Sequence, residues 1–97
     1  MAAQMEQIER ILAEYIIVLR NSRDKCHRAE DRPKYERHLA EAAVMLAEIH
    51  LGGNLAQLKK RVAGERHGYG WDYLSYDEGS AAESAFHKFA TFVEESR

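Results

Sequence analysis

The chain is short of nearly everything that marks a specialised class. It holds a single cysteine, Cys26, which excludes an intrachain disulfide and suits a reducing compartment. One proline, Pro33, leaves long stretches free of helix breakers. The longest run of large apolar residues, Tyr15 to Leu19, is far too short to cross a bilayer, so no membrane association is expected. No basic segment followed by an apolar run opens the sequence, so no secretory signal is expected either. Neither sign of charge dominates: 14 Lys and Arg against 16 Asp and Glu leave −2, too little to predict a strongly charged partner. Together these absences make a soluble, cytoplasmic protein the expectation.

What is present favours helix. The chain is 45% apolar and 31% charged, the balance of a globular protein. Alanine, glutamate and leucine are plentiful and β-branched residues few. The expected fold is all-α: one domain over residues 1–97, a compact bundle of about four short helices.

The first helix is expected from about Ala3 to between Asn21 and Arg28. Met5, Ile8, Leu12, Tyr15 and Leu19 recur at steps of three and four, the spacing that lines one helical face. Ile11, Ile16 and Val18 widen that stripe enough to cover more than one neighbour, and Ile17 falls outside it. Asp31 and Pro33 predict the start of a second helix, as cap and first-turn proline. That helix carries two apolar stripes. Tyr35, Leu39, Ala42, Leu46 and Ile49 form a core face, and Ala40, Val44, Ala47 and Leu51 form a second, with Arg37, Glu41 and Glu48 between them. A helix apolar on two sides is either central in its domain or buried against another chain. The small Ala40 and Ala47 flanking Val44 would admit a second helix closely, so Ile17, Ala40, Val44, Ala47 and Leu51 are read as a subunit interface, most simply of a homodimer.

Gly52 or Gly53 ends the second helix, and Asn54 with Gln57 reads as a capping box opening the third. The third, about Leu55 to Arg66, buries Leu55, Leu58 and Val62 and exposes Lys59, Lys60, Arg61 and Arg66. A helix–glycine–helix arrangement invites comparison with a helix-turn-helix DNA reader. Leu51 and Leu58 fit that template; Glu48, Gly53 and Arg61 do not. The connection from Arg20 to Lys34 carries six basic and three acidic residues, read as a solvated turn rather than a nucleic-acid contact.

A fourth helix is expected from Ser75 or Ser80, each followed by a glutamate at capping-box spacing, with Ala82, Ala85, Phe86, Phe89, Phe92 and Val93 inward. Ahead of it, Tyr69, Trp71, Tyr73 and Tyr76 crowd into a glycine-rich segment over residues 67–79. Such rings either plug the core beside the phenylalanines or form a small-ligand pocket, and the plug is the leading reading.

Catalytic constellations are thin. His38 with Glu41 and Glu83 with His87 each share a helical face, but neither pair has the Glu-x-x-His order of di-metal carboxylate bundles. Glu6 and Glu9 resemble the paired acids of all-helical nucleotide pyrophosphohydrolases. The Glu-x-x-Asp partner of that arrangement does not occur later in the chain, so no activity is carried over. Cys26 is read as an incidental exposed thiol, and His50 and His67 as polar turn positions. The functional expectation is a homodimeric interaction module without cofactor, metal or catalytic activity. The alternatives are a helix-turn-helix-like DNA binder and a small-ligand binder using residues 67–79.

Overall fold

The α1 helix, Ala2–Lys25, forms where the three-and-four spacing of its apolar residues predicts. The computed structural model describes residues 2–68 and 76–97, and the side chains of residues 4–65 and 81–97. Three further helices follow: α2, Arg32–His50; α3, Leu55–Gly68; and α4, Tyr76–Glu95. No strand occurs among the described residues. The radius of gyration is 13.1 Å, close to the roughly 13 Å expected of a folded globule of this length.

The wide stripe of α1 serves two neighbours, since α1 packs along both α2 and α4. Both run antiparallel to it. At one end of the α1–α2 pair Arg23 reaches Glu36 (3.2 Å), and at the other His50 reaches Glu9 (2.7 Å). Between α1 and α4, Lys88 lies 3.5 Å from Glu14. The core between these helices holds Ile8, Leu12, Tyr15 and Leu19 of α1, Tyr35, Ala42 and Met45 of α2, and Ala82, Phe86, Phe89, Ala90 and Val93 of α4. Tyr15 sits among the phenylalanines, tilted against Phe86 (centroids 5.7 Å, 54°) and stacked on Phe89 (6.1 Å, 11°). Such arrangements add about 1 kcal/mol per pair beyond burial.

The connections follow the sequence with two exceptions, at Asp31 and at Gln57. Asp31 occupies the N-cap of α2, and its carbonyl accepts from the Lys34 and Tyr35 amides at 3.0 and 3.2 Å. Its side chain makes no cap bond. The fully buried carboxylate instead accepts from Lys34 Nζ (3.2 Å) and lies 3.7 Å from Arg28, taking charged donors in place of a backbone amide. At the other end of α2 the Gly52 amide donates to Ile49 O and the Gly53 amide to Glu48 O, a Schellman closure with Gly52 at φ +100°. A Cβ at Gly52 would meet nothing within 4 Å, so any penalty there is purely conformational. Gly52→Ala is therefore expected to cost about 1 kcal/mol and lower Tm by roughly 4–8 °C, read by thermal circular dichroism. An unchanged Tm would show that this closure contributes nothing. Asn54 Oδ1 then accepts from the Gln57 amide (3.0 Å), half of the expected capping box; the Gln57 side chain turns away to Glu48 (3.4 Å).

Candidate functional site

Two features of the bundle carry possible function: an apolar face outside and a polar cluster within. The outer face starts from Ile17, which the core stripe of α1 leaves pointing to solvent at 56% exposure. On α2 the second stripe is also exposed, with Val44 at 42%, Leu51 at 88%, and Ala40 and Ala47 in the open. Thus α2 is not a central helix; its second face looks out of the domain. Tertiary packing brings the two helices' contributions together. Ile17 and Ala40 line one shallow groove of about 580 Å³ between α1 and α2, with Ala13, Ile16, Leu39, Ala43 and Leu46, and Arg20, Arg23 and Glu36 toward one end. All five residues read as an interface are exposed in the single chain.

The inner cluster was not read from the sequence. His38 of α2 and Glu65 of α3, 2% and 3% exposed, pair through Nδ1 and Oε1 in the interior. Tyr15 stands close enough that burial first, and the Glu65 charge second, push its phenol well above the usual tyrosine range. The signal was nevertheless present. His38 stands three after Tyr35 and four before Ala42, helical spacing that puts it on the same side as these core residues in place of the expected Leu39. Glu65 continues the α3 stripe of Leu58 and Val62. Ionisable residues at core positions need a partner, and each is the other's. Chemically the cluster is an acid–base pair beside a neutral phenol, closed off except where Glu65 borders a groove between α2 and α3.

The pair is the innermost step of a polar seam. Arg61 Nε and Nη2 donate to Glu48 at 2.7 Å each, and Nη1 donates to Glu41 at 3.3 Å. Glu48 and Arg61, two of the three residues that misfit the helix-turn-helix template, are thus the two ends of one bidentate ion pair. Hydrogen bonds from Arg61 hold the Glu48 carboxyl below its usual range. A depressed carboxylate stabilises the fold above its unfolded pKa and loses that contribution as pH falls through the folded one. Arg61→Met is expected to lower Tm at neutral pH, with the gap to wild type narrowing as pH falls through the lowered Glu48 titration. A gap independent of pH would assign the loss to packing of the arginine stem.

Other sequence candidates are dispersed. His38 and Glu41 diverge to Glu65 and Arg61, while Glu83 and His87 meet only at the surface, at 3.4 Å. Among the described residues no three His, Cys, Asp or Glu converge as a metal site. Cys26 is half-buried against the core edge rather than exposed, its Sγ donating to Arg28 O at 3.3 Å. His50 has the partner that sequence spacing hid, Glu9 on α1. In the first connection Arg23 meets Asp24 and Glu36, Arg28 meets Glu30, and Lys34 meets Asp31. Tyr69, Trp71 and Tyr73 lie outside the described residues, as does the side chain of Tyr76, which opens α4. No helix among the described residues is long and apolar enough to cross a membrane. No family model, curated protein or solved structure matches the chain.

Proposed function

We propose that this protein is a self-associating interaction module, a homodimer that works by binding rather than catalysis through the α1–α2 face. The observation that carries the reading is the exposed apolar side of this helix pair: Ile17 of α1 and Ala40 of α2 share a groove, and Val44 and Ala47 are exposed further along the α2 stripe. A continuous apolar surface on a small chain usually marks an interaction site. A second copy fits the surface because a two-fold lays the same patch on itself, and alanines around one valine let two helices approach closely. The size is adequate. The 19 residues of α2 span about 28 Å, and two helices abreast present on the order of 500 Å² per copy. Roughly 1,000 Å² in total is the lower bound for a specific interface.

Two observations support placing the DNA-reading alternative behind this one. Arg61, one of the basic residues a reading helix would offer, is held by Glu41 and Glu48, and the first connection's Arg23, Arg28 and Lys34 each face a carboxylate. Light scattering at micromolar concentration tests the proposal. Twice the 11.2 kDa chain mass is expected, falling on dilution. A mass of 11.2 kDa throughout the concentration range would overturn it.

A further inference from the structure

We infer that α3 is a lid: a helix that opens as a unit from the rest of the bundle, held shut by the buried His38–Glu65 pair more than by apolar burial. The apolar anchoring of α3 is thin. Among the described residues it places two buried apolar side chains in the core, Leu58 and Val62, where α1 places four, α4 five and α2 three. Leu55 is only partly buried. Its hydrogen bonds and ion pairs to α2 run from Gln57 and Arg61 to Glu48, Arg61 to Glu41, and Glu65 to His38, while its closer packing is against α4. Arg61, Glu41 and Glu48 are partly exposed and compete with water, whereas His38 and Glu65 are sealed. The sealed pair is therefore the element that commits the helix.

A pair of this kind makes an unusual fastener. Its two polar groups regain hydrogen bonds to water once separated, which offsets much of the attraction lost on opening. Apolar burial gives no such return. An element with few buried apolar groups and a solvated seam lies at the low-stability end of a structure, opening without global unfolding. The path for water is already present, since Glu65 borders the groove of about 900 Å³ shared with Glu41, Asn54, Gln57 and Arg61. Opening α3 extends that groove to His38 and bares the polar side of the core. The inference is independent of the proposed dimer, because Glu41 and Glu48 place α3 on the opposite flank of α2 from the Ile17–Ala40 groove.

Amide hydrogen exchange on the full chain at neutral pH tests this. In the wild type the Arg61–Gly64 amides are expected to be at least about a hundredfold less protected than those of Leu12–Leu19 and Phe86–Phe89, with a weaker dependence on denaturant. In Glu65→Gln the α3 amides are expected to lose protection by the same factor as the α1 and α4 amides, because the pair is already broken in the lid-open state. Equal protection of all three helices in the wild type would show that α3 opens only when everything unfolds, and would overturn the inference. So would a Glu65→Gln variant that loses protection in α1 and α4 while α3 stays unchanged, since the pair would then persist when α3 opens.

Discussion

Val44→Glu is expected to convert the proposed dimer to a folded monomer, weakening self-association by at least about a hundredfold. Val44 lies at the centre of the α2 stripe, so a two-fold that packs this stripe on itself brings two copies of position 44 near the axis. Two carboxylates there would be desolvated without a counter-charge. The resulting cost, about 3 kcal/mol or more, exceeds what a small interface can absorb. Within one chain the same position is 42% exposed. A substitution at such a site usually moves fold stability by no more than about 0.5 kcal/mol, and glutamate is the better helix former. Sedimentation should therefore show a monomer while the circular dichroism spectrum and melting of the dilute protein stay as in wild type. A variant that remains dimeric would place the interface elsewhere. One that unfolds would make the stripe part of the core.

Phe89→Ala is expected to be the most damaging single truncation in the bundle, at about 3–5 kcal/mol. Phe89 is fully buried and stacked on Tyr15, and it bridges α4 to the middle of α1. Neighbouring helix backbones cannot collapse far enough to fill a phenyl-sized void, so the cavity penalty adds to the lost transfer free energy. For a chain of this size the change corresponds to a fall in Tm of about 15 °C or more. Phe92→Ala, at a half-buried position of the same helix, should cost clearly less. Urea unfolding of both variants gives the comparison. Equal losses, or a Phe89→Ala loss below about 1 kcal/mol, would mean that the aromatic centre of the core is wrongly placed.

The helices and the inward faces of α1 and α4 were legible in the sequence, whereas on α2 the core runs through His38 and Met45 and leaves the expected Leu39, Leu46 and Ile49 only partly buried. Ile8, Leu12, Tyr15 and Leu19 repeat at helical spacing, Gly52 and Asn54 carry the local chemistry of a stop and a start, and the three phenylalanines of α4 mark its core side. Each of these signals is local, decided within one or two turns by steric and hydrogen-bonding preferences. The exposed α2 stripe and the lone Ile17 were legible in the same way, as what remains apolar after the core faces are assigned.

Tertiary structure alone decided which of these local features meet. Ile17 and Ala40 lie 23 positions apart, and only the antiparallel packing of α1 on α2 turns two stray apolar positions into one groove. His38 looked like the partner of Glu41 because both lie on one helix; the fold sends them to Glu65 and Arg61 instead. Asp31 was read as a side-chain cap, yet its buried carboxylate takes Arg28 and Lys34. Periodicity specifies which face of a helix is inward. It does not specify the rotation and axial register of one helix against the next, on which every charged pairing between helices depends. That register comes from how Tyr15, Phe86, Phe89 and their neighbours fill a common space, because close packing allows few alternatives, and the polar pairings follow from it.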